Sequence, residues 1–338
     1  MAKILITGGT GCIGSVTTFK LLQSEKVEKI IIASRNNDHT IMRYWMEGDW
    51  DPRLEFLKMD VGNADDIRKQ LPEINPTHII HLGALQSPAC AANHKLGMQI
   101  NVGGTMALFD EAEKLPNLQK FVFASSAAVY GMRAMYPQAI IDEDVVLAPP
   151  NHYGIWKLAG EHIARLFYDQ TKVPTVCLRL NTTYGKGREQ GKTSAPTNAI
   201  KAIALGAVRG KIIPFKMPYQ GRENYHFVED VGAHFAACTL QDFEGFGAFN
   251  IKGETIAIDS FLKIVQSEAD KLGIGEFVDL SIVDHADENL FISDLSHEKV
   301  DAAFDNLPKA EIAAGVAKSL REFLEMAKAG TLYYPLNN

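Results

Sequence analysis

Cysteine is scarce in this chain. Cys12, Cys90, Cys177 and Cys238 are scattered over 338 residues with no CxxC pair. No disulfide framework or zinc-finger spacing is present, no metal is expected, and the thiols read as buried groups of a reducing cytoplasm. Blocks of Lys and Arg are also missing, and the formal net charge is −7. Nucleic acid needs clustered cations, so it is not an expected partner. No apolar run approaches the roughly 20 residues of a membrane span. The first apolar run begins at Lys3, so no signal peptide is expected and the cytoplasm is the expected location. Internal repeats and low-complexity linkers are absent. The chain is 46% hydrophobic, enough for a large core and two lobes.

Short apolar runs alternate with helical patterns over the first 180 or so residues. The runs are KILIT, KIIIAS, LEFLKM, THIIHL, KFVFAS and TVCLRL. Strand and helix in alternation imply parallel strands joined by crossover helices, an α/β doubly wound sheet. From Asn181 the loops lengthen and Pro and Gly become common. Residues 181–224 and 251–338 therefore read as a smaller substrate lobe covering the strand ends. A return segment at about 225–250 rejoins the larger lobe of residues 1–180.

Two features carry chemistry. In KILITGGTGCIGSVTTFKLL, Gly8, Gly11 and Gly14 leave the backbone bare between a strand and a helix. A diphosphate can approach the amides of such a turn, and a helix N-terminus favours its charge. The spacing is TGxxGxxG, a loose fit to the GxGxxG dinucleotide fingerprint. Cys12 and Ile13 lie in the same turn. Far downstream, Tyr153 and Lys157 are four residues apart, so they emerge on one helix face. An adjacent ammonium favours the phenolate and draws the Tyr pKa down from about 10. A phenol so tuned exchanges a proton with an alcohol oxygen.

These motifs, with LEFLKMDVGN, THIIHLGAL, FVFASSAAVYG and NHYGIWKLAGEHIARLF in that order, resemble the extended short-chain dehydrogenase/reductase family, also called the NAD-dependent epimerase/dehydratase family. The resemblance is dense to about residue 185 and looser beyond. It implies a Rossmann-like fold, an NAD(P) cofactor and an oxidoreductase or epimerase. Ser126 takes the place of the family's hydroxyl that holds the substrate oxygen beside Tyr153, and Lys157 that of the ribose-binding cation. Asp60 falls at the adenine position, Val61, Leu82, Gly83 and Ala84 complete the cofactor wall, and Asn101 is a structural position. His81 reads as a packing or capping residue. NAD-preferring members carry an acid at the end of the second strand, where this chain has Ser34 and Arg35. An Arg there binds a 2′-phosphate, so NADP is favoured over NAD. The family's helices also pair across a two-fold axis, which implies a homodimer through the segments TMALFDEAEKL and LAGEHIARLFYDQT.

Departures narrow the substrate. Dehydratases of the family carry an Asp–Glu pair after the catalytic hydroxyl, and Ala127 and Ala128 stand there. Thr182 replaces an Asn usual in sugar-nucleotide epimerases. Their Arg–Asp–aromatic–x–His pattern is read at Glu223 to Phe227, with Arg222 one place out of register. Thr182, Ser194, Arg188 and Arg222 are the candidate substrate contacts, two hydroxyls and two cations. The expected substrate is a small polar hydroxy or carbonyl compound, a sugar or sugar acid. The alternative is a nucleotide-sugar epimerase with a retained cofactor. A silent dinucleotide sensor is disfavoured, since it has no need of Ser126, Tyr153 and Lys157 together.

Overall fold

The computed structural model of the chain describes residues 1–36, 38–46, 48–289 and 292–335. Each apolar run of the first half forms a strand, and each amphipathic stretch between them a helix. The elements are β1 (Ala2–Thr7), α1 (Cys12–Leu21), β2 (Val27–Ser34), α2 (Thr40–Arg43), β3 (Leu54–Lys58), α3 (Ala64–Ile74), β4 (His78–His81), α4 (Ser87–Ala92), α5 (His94–Met98), α6 (Thr105–Ala112), β5 (Lys120–Ser126), α7 (His152–Thr171) and β6 (Thr175–Leu180). There follow β7 (Thr182–Tyr184), α8 (Ala195–Arg209), β8 (Phe215–Met217), β9 (Arg222–Phe227), α9 (Val228–Leu240), β10 (Phe246–Asn250), β11 (Glu254–Ala257), α10 (Ile258–Lys271), β12 (Leu280–Ile282), α11 (Glu298–Ala303) and α12 (Ile312–Lys328).

The chain forms two compact units. The first comprises Met1–Leu180, Glu229–Lys252 and Leu295–Pro308. Its seven strands, all parallel, lie in the order β10-β6-β5-β4-β1-β2-β3. Strands covered on both faces need apolar residues at every position, which is why they read as unbroken hydrophobic runs. The order reverses between β1 and β4, the crevice where doubly wound sheets bind ligands. One core cluster packs Leu5, Ile31, Ile79, Phe121 and Phe123 of the sheet against Phe109 and Phe167 of the helices. Phe109 stacks on Phe121 with ring centroids 4.0 Å apart.

Two features of this unit were not read from sequence. β10 is short and contains Gly247, so its period is masked, yet it pairs with β6 from Phe246 to Asn250. Leu295–Pro308 also belongs here, although the sequence pattern puts it in the smaller lobe. An isolated bridge joins Ile141 to Leu295, the Ser296 carbonyl accepts from Asn250 Nδ2 at 3.0 Å, and Phe304 stacks on Phe243 at 5.3 Å. These ties link residues far apart in sequence, which local pattern does not reveal.

The second unit comprises Asn181–Val228, Gly253–Asp294 and the stretch from Lys309. It holds a three-stranded sheet, β11-β9-β7, and a parallel pair, β12-β8. Tyr184, Tyr225 and Phe261 fill its centre, with Tyr225 stacked on Phe261 at 4.4 Å.

Candidate active site

β1 delivers the chain into the glycine turn at the reversal of strand order. Gly8 has φ +68°, a conformation that side chains rarely adopt, and its amide donates to Ala33 O at 2.8 Å. A Cβ on Gly8 would lie 2.9 Å from the Gly83 nitrogen, and one on Gly14 would lie 2.5 Å from the Gly9 Cα. Bare backbone is therefore required here by packing alone. No side chain caps α1, and its first turn holds no acid, so its N-terminal amides face an uncapped end. That geometry fits a dinucleotide diphosphate. Further along the same sheet edge, Ser34 donates to Asn36 O at 2.6 Å and Arg35 is exposed. Asp60 accepts the Gly62 amide at 2.9 Å, and Val61 is buried.

β5 and α7 bring the other candidates together. Asn151 caps α7 by accepting the Gly154 amide at 2.9 Å. A Cβ on Gly154 would lie 2.1 Å from Ala128 O, so α7 rests directly on the turn after Ser126. Ser126 accepts the Ala128 amide at 3.1 Å, capping the 3₁₀ turn Ala127–Val129. The capping role thus coexists with a half-buried hydroxyl. Lys157 is buried, and its Nζ donates to Ala124 O at 2.7 Å. The ammonium lies 5.8 Å from the Tyr153 ring centroid and 4.9 Å from that of Phe123. Burial pushes its pKa down to about 8, against the pull of Cys90, Cys177 and the Glu161 carboxylate.

His81 closes a directed chain behind the turn. The Thr105 hydroxyl donates to Asn101 O, so it accepts from His81 Nε2 at 3.0 Å. His81 Nδ1 then accepts from Thr7 Oγ1 at 2.7 Å, and Thr7 accepts the Gly83 amide. Burial drops the His81 pKa to about 3, with Lys157 adding to the shift, so the ring stays neutral. Asn101 grips Leu85 through both its amide and its carbonyl, at 2.7 and 2.9 Å. Both side chains are thus occupied by contacts within the protein.

The candidate substrate contacts lie in the second unit. The Thr182 hydroxyl donates to Glu223 Oε1, and Thr182 is fully buried. Ser194 donates to Gly191 O at 2.8 Å. Arg188 Nη2 donates to Thr193 Oγ1 at 2.5 Å. Arg222 pairs with Asp294 at 3.1 Å and is more than half exposed. Its register needs correcting. Arg222 opens β9 four residues before His226, which is the spacing of the Arg–Asp–aromatic–x–His pattern. The actual departures are Glu223 for Asp and Asn224 for the aromatic.

Sequence reasoning missed Glu223. Its carboxyl also accepts from Asn289 Nδ2 at 3.1 Å. Burial raises its pKa to about 7, opposed by Thr182, Tyr225, Tyr219 and Asn289. Neither phenol closes hydrogen-bond geometry on Oε2. In β9, which reads RENYHF and is mostly polar, one more acid gives no sequence signal of burial. Ala127 and Ala128, at the dehydratase acid positions, are buried beside Ser126.

Residues 4–251 match the model of the NAD dependent epimerase/dehydratase family. A bifunctional UDP-glucose 4-epimerase and UDP-xylose 4-epimerase of Pisum sativum is 34% identical over 256 residues, covering 70% of this chain and 71% of that protein. The UDP-glucuronic acid 4-epimerase of Bacillus cereus, solved with UDP-glucuronic acid and NAD, has a TM-score of 0.76 at 20% identity, covering 96% of this chain and 99% of its own. A partial-consensus L-threonine 3-dehydrogenase has a TM-score of 0.77 at 17% identity, with coverage of 96% and 99%. The same fold thus carries both epimerases and a dehydrogenase.

The raised Glu223 pKa predicts a pH-dependent stability. Its folded pKa is raised from 4.5 to about 7, so its contribution is fully present below about 4.5 and is lost as pH rises through about 7. Glu223→Gln removes the titration, which is worth on the order of 3 kcal/mol. The thermal midpoint of the variant relative to wild type is expected to be several degrees more favourable at pH 8 than at pH 5. An equal difference at both pH values in scanning calorimetry would contradict this.

Proposed function

This chain belongs to the NAD dependent epimerase/dehydratase family, and within that family we propose that it oxidises a secondary alcohol of a small, polar, sugar-like compound, or reduces the matching carbonyl, with net redox turnover. The observation that carries the chemistry is the Tyr153–Lys157 pair on one turn of α7, with α7 seated on the turn that begins at Ser126. Ser126 donates to the substrate oxygen while its lone pair accepts from Ala128. Tyr153 takes or returns the hydroxyl proton. Lys157 keeps one N–H on Ala124 O and offers the others to the nicotinamide ribose hydroxyls. The bound nicotinamide supplies hydride chemistry. In this reading the first unit holds the dinucleotide, with Gly8, Gly11, Cys12, Ile13 and Gly14 at the diphosphate and Asp60 at the adenine. Substrate selection belongs to the second unit. Dehydration is disfavoured, because Ala127 and Ala128 carry no acid.

The restraint on substrate is Thr182, whose hydroxyl is committed to Glu223 where an Asn is usual in nucleotide-sugar epimerases. Arg188 remains as a contact for a carboxylate, whereas the buried Ser194 hydroxyl is committed to Gly191 O and Asn198. A second reading, a nucleotide-sugar epimerase with retained cofactor, is favoured by the pea relative and by Arg222 standing in register. One assay separates the two. Enzyme is mixed with NAD or NADP and a panel of free sugars, aldonic and uronic acids, and UDP-sugars. Growth of the reduced-nicotinamide band with a free sugar or acid supports net turnover. Interconversion of a UDP-sugar with no net cofactor change replaces it with the epimerase reading.

Four free cysteines among the described residues fit a cytoplasmic enzyme, and no helix there is long and apolar enough to cross a membrane. Met106 on α6 and Ile155 and Leu166 on α7 are exposed. These faces support a homodimer through α6 and α7. Light scattering at micromolar concentration should give twice the chain mass, and a monomer alone would reject the pairing.

Tyr153→Phe keeps the ring and removes the proton carrier. Turnover should fall about 10²–10⁴-fold with little change in cofactor affinity. Retention of more than roughly a third of wild-type turnover would remove Tyr153 from the mechanism. Arg35→Ala tests the preference for NADP. A charged hydrogen bond is worth roughly 1.5–3 kcal/mol, so NADP affinity should drop about 10–150-fold relative to NAD. Equal losses for both cofactors would mean that Arg35 does not read the phosphate.

A further inference from the structure

We propose that the buried ion pair between Glu161 and Arg179 is the positioning device for Ser126, gripping the chain on both sides of the Ser126 turn and tying it to the helix that carries Tyr153 and Lys157. The inference rests on the role of Ser126, Tyr153 and Lys157 stated above.

Ser126 itself is weakly anchored. Its hydroxyl has the Ala128 amide at 3.1 Å and a long contact to Leu180 O at 3.5 Å. Its direction is inherited from its neighbours. On one side, Ser125 donates to Glu161 Oε1. On the other, Tyr130 accepts from Arg179 Nη1 at 2.9 Å and donates to Asn250 Oδ1 at 2.8 Å. Arg179 closes the loop with a bidentate fork on Glu161, Nε at 2.9 Å and Nη2 at 2.8 Å. Ser125, Tyr130, Glu161 and Arg179 are each at most 4% exposed. The guanidinium fork is planar and rigid, so its three contacts fix one geometry. Glu161 is four residues beyond Lys157 on α7, and Lys157 is four beyond Tyr153. One ion pair therefore registers the helix against the serine turn. A buried pair is a poor source of net stability, and a register role is its best-attested use.

Breaking the pair outright leaves a buried charge and endangers folding, so the test uses Ser125→Ala and Tyr130→Phe, each of which removes one grip and leaves the pair. Turnover of the panel compound converted fastest is measured with the cofactor dissociation constant and amide exchange at Ala128. The expected result is a lower kcat in both variants, approaching the order of 10²-fold that a misplacement of about 1 Å costs. Cofactor affinity should be unchanged and Ala128 exchange faster. Wild-type kcat in both variants, in an enzyme that Tyr153→Phe silences, overturns the positioning role and leaves the chemistry standing. Parallel losses of kcat and cofactor affinity indicate general loosening and also overturn it. Full activity of Tyr153→Phe overturns the chemistry and the inference with it.

Discussion

One buried ammonium sets the terms for this site. A charge taken out of water is costly unless it is paired and hydrogen-bonded. Among the described residues, Lys157 Nζ has one hydrogen-bond acceptor, Ala124 O. The ring faces of Phe123 and Tyr153 and the carboxylate of Glu161 supply the rest. An ammonium has three donors, so two are left for ligand oxygens. α7 reaches this position because Gly154 lets its first turn touch the Ala128 carbonyl. That approach seats the start of the helix carrying Tyr153 and Lys157 on the turn after Ser126.

The surroundings hold the site electrically simple. His81 is buried and neutral, so it adds no cation beside Lys157. Its directed chain instead ties Thr7, at the entry to the glycine turn, to Gly83 and to Asn101. Arg179 is committed to Glu161 and Tyr130, and Arg35 is exposed just after β2.

The fold was legible where local pattern and burial agree. Six apolar runs became six parallel strands, because strands covered on both faces cannot alternate. The glycine turn was legible because close backbone contact admits no other residue at Gly8 and Gly14. The Tyr153–Lys157 pair was legible from helical spacing alone. β10 and the Leu295–Pro308 return were not, since a short glycine-bearing strand leaves no period and the return is tied by contacts between residues far apart in sequence. Glu223 and the Glu161–Arg179 pair were not singled out either. Their meaning depends on partners 41 and 18 residues away, Thr182 and Arg179, which spacing does not reveal. The substrate contacts were the least legible part. They fall where the resemblance thins, and Arg222 stands four residues before His226 with Glu and Asn in the places of the Asp and the aromatic.

The most direct test of the account is a crystal structure with NAD or NADP bound. The account predicts the diphosphate on the amides of residues 11–14, and the nicotinamide ribose hydroxyls within hydrogen-bond reach of Lys157 Nζ, with Tyr153 and Ser126 facing the reactive carbon. A dinucleotide bound away from the glycine turn, or a ribose that leaves Lys157 untouched, would contradict it.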